Sequence, residues 1–237
     1  MYSFFTTLTF KKISNDMFPI HQYLEHTALS PVFTSQDCER LVYEAVQHRC
    51  VGVCVPPYWV KKARRDLDKA QTKLVTVIGF PLGYQRSEVK MRELEIALKD
   101  GADELDVVMN ISAFKTGVMM WVKGELAQFA KACHEANTSL KVIIETAYLS
   151  ENEIIKASKI SADAGADFVK TSTGFAEGAK VAHIRLMRAN LPKEVGIKAA
   201  GGIKNLLQMM ELIEAGADRI GTSSALKIIG ETKNIKS

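Results

Sequence analysis

Three copies of one tripeptide constrain this chain more than any other feature. Gly101-Ala102-Asp103, Gly165-Ala166-Asp167 and Gly216-Ala217-Asp218 each close a stretch whose apolar residues recur at helical spacing, and each opens a short run rich in Val, Ile or Leu. Glycine at such a junction suits the left-handed cap of a helix, from which the chain turns directly into a strand. Reuse of one helix-to-strand junction points to repeated βα units.

Candidate strands occupy residues 22–27, 51–55, 74–79, 104–108, 141–145, 167–171, 196–200 and 219–222. Their starts are mostly about 20 to 40 residues apart, the span of one strand, one helix and two short loops. Residues 87–98 and 151–164 read as intervening helices, the second opened by Ser150 as N-cap. Alternation of this kind implies a parallel sheet. A doubly wound open sheet would carry a glycine-rich turn after its first strand, but the first run ends in His26-Thr27-Ala28-Leu29. The expected fold is therefore α/β, a single-domain (β/α)8 TIM barrel over residues 20–237, preceded by a loose N-terminal extension over 1–19. Its active site is expected at the C-terminal ends of the strands.

Composition narrows the function classes. With 237 residues, 47% hydrophobic and 24% charged, the chain can bury one sizeable core. The net charge of +4 is scattered, and the densest basic stretch, Lys61-Lys62-Ala63-Arg64-Arg65, is diluted by Asp66 and Asp68. That argues against nucleic acid while suiting an anionic small molecule. No run approaches the roughly 20 apolar residues of a membrane span, and the N-terminus lacks the order of a signal peptide. Cys38, Cys50, Cys54 and Cys133 form no C-x-x-C pair. Reduced, buried thiols in a cytoplasmic protein without a metal are expected.

Ionisable residues inside strands carry the chemistry, because a barrel interior tolerates them only when they are satisfied. Asp106, Lys170 and Lys198 are all read as falling late in their strands, which puts two amines and one carboxylate at one mouth. Lys141 and Glu145 share a parity in the fifth strand. A second ammonium about 6 Å from a lysine, at an effective dielectric near 20, disfavours its protonation by roughly 2–3 kcal/mol. That is about two pK units, enough to lower a lysine from about 10.4 to near 8. Asp106 opposes this shift, so desolvation or Lys141 must supply part of it. The constellation reads as imine chemistry with Asp106 relaying protons.

An anion site is expected at the same end. Gly201-Gly202-Ile203-Lys204 follows the seventh strand and Gly221-Thr222-Ser223-Ser224 the eighth, the two loops that commonly hold phosphate in barrels. Residues from Thr171 to Gly174 are placed to close a third side.

Several segments resemble deoxyribose-phosphate aldolases. Val169-Lys170-Thr171-Ser172-Thr173-Gly174-Phe175 is similar to that family's active-site segment, and 104–110, 141–146 and 198–202 are similar to its other hallmark stretches. His26-Thr27, Val53-Cys54-Val55-Pro56-Pro57 and Ile78-Gly79-Phe80-Pro81-Leu82-Gly83 agree as well. The resemblance runs from about residue 20 to 228. It implies a barrel that reversibly cleaves 2-deoxy-D-ribose 5-phosphate to acetaldehyde and D-glyceraldehyde 3-phosphate without metal or organic cofactor. Lys170 would be the Schiff-base lysine, Lys198 its perturbing neighbour, Asp106 the proton relay and Lys141 a further member of the catalytic set. Gly174, Gly201, Gly202, Gly221, Ser223 and Ser224 would bind phosphate, with Thr171 and Cys54 added to the substrate site. Self-association as a dimer or tetramer is expected.

Two positions depart from the family pattern: Glu25 stands where Asp is common, and Ala200 where short members often carry Ser. A longer C-terminal tail found in some members is not expected here. Two other readings compete: a transaldolase-like lysine enzyme with a different donor, and a non-catalytic sugar-phosphate-binding barrel. The latter has no need of Asp106, Lys170 and Lys198 together.

Overall fold

The structure, a computed structural model, describes residues 19–235; apart from Pro19, the expected extension lies outside the described residues. Eight parallel strands close into a barrel in sequence order, with the eighth paired to the first. They are β1 (Leu24–Thr27), β2 (Gly52–Cys54), β3 (Lys73–Ile78), β4 (Glu104–Val108), β5 (Ser139–Ile143), β6 (Phe168–Lys170), β7 (Gly196–Ala200) and β8 (Arg219–Thr222). The outer layer holds α1 (Ser35–Gln47), α2 (Val60–Leu67), α3 (Ser87–Lys99), α4 (Ile111–Thr116), α5 (Met119–Glu135), α6 (Glu151–Asp163), α7 (Val181–Asn190), α8 (Leu206–Glu214) and α9 (Ala225–Ile235). The expected (β/α)8 barrel is what forms, with α4 as an extra helix after β4. Among the described residues, no helix is long and apolar enough to cross a membrane.

Two boundaries differ from the sequence reading for identifiable reasons. The first strand starts at Leu24 because Ile20–Gln22 winds into a 3-10 turn. The fifth ends at Ile143, since Glu145 takes a left-handed backbone (φ 49°) and leaves the sheet. The cap of α6 is as read, with Ser150 accepting from the Glu153 N–H and Glu153 accepting from the Ser150 N–H.

The repeated tripeptide does more than end helices. Gly101, Gly165 and Gly216 hold φ of 95°, 96° and 113°. Each following aspartate then clamps the strand before it. The Asp103, Asp167 and Asp218 carboxylates accept the N–H groups of Leu74, Leu140 and Ile197 at 2.7, 2.8 and 2.8 Å. Their own N–H groups donate to the carbonyls of the same three residues. Arg64, His134 and Arg188 contact the three carboxylates from the helix layer. The motif thus ties strand pairs β3–β4, β5–β6 and β7–β8 together near the barrel floor.

The interior of the barrel is divided. A large apolar core fills the space between strands and helices, while Cys54, Val75 and Val77 form a separate small cluster within the barrel, joined by Leu29 and Phe80. From β4 round to β1 the interior is instead ionic, holding Glu25, Glu104, Asp106, Lys141, Lys170 and Lys198, all buried. Glu25 fits because Gly52 is its partner across β1–β2; a Cβ at Gly52 would sit 3.1 Å from Glu25 Cγ.

Candidate active site

Lys170 ends β6 and opens into a cavity of about 400 Å³ at the C-terminal mouth of the barrel. Asp106 and Lys198 lie in the middle of β4 and β7, not at their ends as the sequence reading had them. The lysine stems make up the difference. Lys170 Nζ and Lys198 Nζ both donate to Asp106 Oδ2, at 2.7 and 2.6 Å. Sharing one oxygen brings the two nitrogens closer than the roughly 6 Å used above.

The network continues downward. Lys198 also bonds Glu25 Oε2. Lys141 meets Glu104 Oε2 at 2.6 Å, Asp106 Oδ1 at 3.0 Å and Glu25 Oε1 at 3.6 Å. Arg219 reaches Glu25 Oε1 at 3.3 Å and Glu104 Oε2 at 3.4 Å. Glu104 and Arg219 were not singled out from sequence, although Glu104 shares the parity of Asp106 and Arg219 that of Gly221.

These contacts order the three lysines. Burial works against the charge on Lys141, but Asp106, Glu25 and Glu104 outweigh it and push its pKa up. For Lys198 burial is outweighed in the same way by Asp106 and Glu25. Lys170 has Asp106 as its one carboxylate partner, and burial with the Lys198 ammonium outweighs it, so its pKa is lowered. Burial is the largest influence, which answers what completes the shift. Lys141, the other candidate, is neutralised by its own carboxylates. Asp106 is buried, but the three lysines hold its carboxyl well below the usual range. An ionised Asp106 under a proton-deficient amine can take and return protons.

The cavity wall is rich in glycine. Gly174, Gly201, Gly202, Gly221 and Ser223 line it, joined by Thr173 and Lys204 from the expected loops and by Ser30 and Phe175, which had no expected role in binding. Gly174, Gly201 and Gly202 have φ of 90°, 87° and 73°. The loops after β6 and β7 pack backbone on backbone: a Cβ at Gly178 would meet the Gly201 carbonyl oxygen at 2.5 Å. With the α9 N-terminus just beyond Ser224 and the Lys204 charge on the wall, this end of the cavity suits an anion.

Three other expected residues stand behind the wall. Thr171 is buried, exchanging hydrogen bonds with the Ala200 main chain. Ser224 donates its N–H to Thr222 Oγ1. Cys54 sits in the apolar cluster inside the barrel, where burial pushes its thiol up to about 12. Glu145 holds the loop after β6: its Oε2 accepts from both the N–H and the hydroxyl of Thr173.

Known proteins resemble the chain over nearly its whole length. A family model described as DeoC/LacD family aldolase matches residues 20–230. A deoxyribose-phosphate aldolase of Thermococcus gammatolerans is 50% identical over 218 residues, covering 91% of this chain and 97% of that protein. One of Clostridium botulinum is 43% identical over 211 residues, covering 89% and 99%. Among solved structures, an aldolase called QR15 superposes with a TM-score of 0.86 at 41% identity, covering 91% of this chain and 96% of that one. The tetrameric deoxyribose phosphate aldolase of Aeropyrum pernix gives 0.87 at 32% identity, covering 96% and 97%. Closed barrel, buried amine pair and glycine-lined cavity agree with this likeness, and the chain belongs to the DeoC/LacD family of aldolases.

Proposed function

We propose that this aldolase reversibly cleaves 2-deoxy-D-ribose 5-phosphate to D-glyceraldehyde 3-phosphate and acetaldehyde through an imine on Lys170. The observation that carries the reading is a lysine with lowered pKa at the floor of an anion-suited cavity, sharing Asp106 with a second, protonated lysine. The neutral Lys170 amine adds to the C1 carbonyl of the open-chain sugar, and loss of water gives a cationic imine. Loss of the C3 hydroxyl proton turns C3 into an aldehyde as the C2–C3 bond breaks. The bonding pair passes through C2 to the imine nitrogen, leaving an enamine. Protonation at C2 and hydrolysis release acetaldehyde and free Lys170. Asp106, in contact with both lysines, is the proton carrier closest to these atoms.

The phosphate lies along Gly174, Gly201, Gly202, Gly221 and Ser223, with Lys204 facing it and Thr171 and Ser224 bracing the wall from behind. Four free buried thiols support a reducing, cytoplasmic setting. The tetrameric Aeropyrum relative supports self-association. Borohydride added with substrate should leave a reduced adduct on the peptide containing Lys170; an unmodified Lys170 would sink the mechanism. Acetaldehyde release, assayed against ketose-phosphate cleavage, separates this donor from a transaldolase-type one.

A further inference from the structure

The charges inside the barrel reach its closed end, farther than proton transfer at the mouth requires. Barrel interiors are ordinarily filled by branched apolar side chains, and a buried ion pair is weakly stabilising at best against apolar packing. Arg219 opens β8 at the floor, opposite the cavity, and is nonetheless built in with care. It pairs with Glu25 and Glu104, and its guanidinium lies 5.3 Å from the centre of the Phe168 ring. Phe168 in turn occupies the space left by Gly196, where a Cβ would meet the ring at 2.3 Å. None of these groups lines the cavity.

We infer that Arg219 is a positioning residue for the reaction, setting the protonation state of Lys170 through the charge count of the buried network. Three carboxylates, on β1 and β4, face three lysines and this arginine. One cation is therefore in excess, and arginine does not give up its proton. The excess falls on the lysine with the fewest carboxylate partners. Lys141 contacts three, Lys198 two and Lys170 one. The remaining titratable group facing the amines, the Cys54 thiol on β2, stays protonated and adds no charge. Without Arg219 each lysine has a carboxylate to match it, and Lys170 keeps its proton.

The inference rests on Lys170 being the imine-forming residue, and its test separates the two. Wild type, Arg219→Met, Glu104→Gln and the double variant are incubated with 2-deoxyribose 5-phosphate and borohydride across pH. The apparent pKa for trapping on Lys170 is then read by peptide mapping. Arg219→Met should raise it by about one unit, Glu104→Gln should lower it by about one unit, and the double variant should return close to wild type. An apparent pKa unmoved in both single variants, or moved the same way in both, overturns the role of Arg219. Should Arg219→Met not fold, as judged by circular dichroism, Arg219→Lys and Glu104→Gln decide. The first should leave the pKa in place and the second should lower it; no change in Glu104→Gln overturns the inference. Failure of wild type to form any adduct on Lys170 defeats the imine reading itself.

Discussion

Lys170 and Lys198 donate to the same oxygen of Asp106, and only Lys198 also reaches Glu25. That single extra carboxylate separates a lysine held as ammonium from one that can act as a nucleophile. Two adjacent amines in one pocket would otherwise compete for the role.

Lys198→Met should move the acid limb of the kcat/KM pH profile upward by roughly one to two units. Asp106 Oδ2 then serves Lys170 alone, while Oδ1 stays with Lys141, and the nearest repelling ammonium is gone. At pH 7 the rate should fall on the order of 10- to 100-fold, with Lys198→Arg keeping the limb near its original position. A limb that stays put in Lys198→Met would contradict the electrostatic account.

Gly178→Ala should disturb the anion site without touching the amines. The new Cβ meets the Gly201 carbonyl oxygen at 2.5 Å, so the loops after β6 and β7 must separate. KM for the phosphorylated sugar should rise by about an order of magnitude, roughly 1.4 kcal/mol of binding. Turnover of unphosphorylated 2-deoxyribose should change far less, as steady-state kinetics on both sugars will show.

Asp167→Ala should cost about 1–3 kcal/mol of stability, because it strips the acceptor from the Leu140 N–H where β5 meets β6. Asp167→Asn keeps a side-chain oxygen there and should lose less. Urea unfolding of the two variants provides the comparison.

Gly124→Ala should act in the opposite direction. Gly124 lies in the interior of α5, exposed, with nothing within 4 Å of an added Cβ. Helix propensity then adds about 0.5–1 kcal/mol of stability. Thermal melting should rise with kinetics unchanged.

Acid should weaken the fold through the interior carboxylates. Asp106 and Glu104 are buried, yet the cations around them lower both pKa values below those of the unfolded chain. Their contribution is complete above about pH 5, where the unfolded groups are ionised, and is lost as pH falls through the folded values. Lys141, with a raised pKa, contributes below about pH 10.5 and fades only as pH rises past its folded value. Urea midpoints should stay level from pH 7 to 5 and drop below 4; a midpoint falling steadily from pH 7 would refute this assignment.

Much of the architecture was legible because local rules repeat. The glycine turns of the Gly-Ala-Asp junctions and the Ser150 cap act within a few residues of themselves, so sequence spacing exposes them; the strand clamps made by the aspartates do not, and they were not foreseen. Lys170, Lys198 and Asp106 stood out as charges in apolar strands. Glu104 and Arg219 did not, since a charge on the first residue of a strand ordinarily faces solvent, and only barrel closure turns these two toward each other. Gly178 was equally silent. Its need for a missing side chain arises from a loop one βα unit away, a contact that no local pattern encodes.

Glu25 and Gly52 are matched across one rung of the β1–β2 pairing, where a Cβ at 52 would meet Glu25 Cγ more closely than anything else around it. The missing side chain at 52 is therefore what lets an acid stand at position 25. Aspartate there would still place its carboxyl carbon at Cγ, pulling back from the Lys198 ammonium without freeing room at 52. Relatives that keep an acid at position 25 should therefore keep glycine at 52.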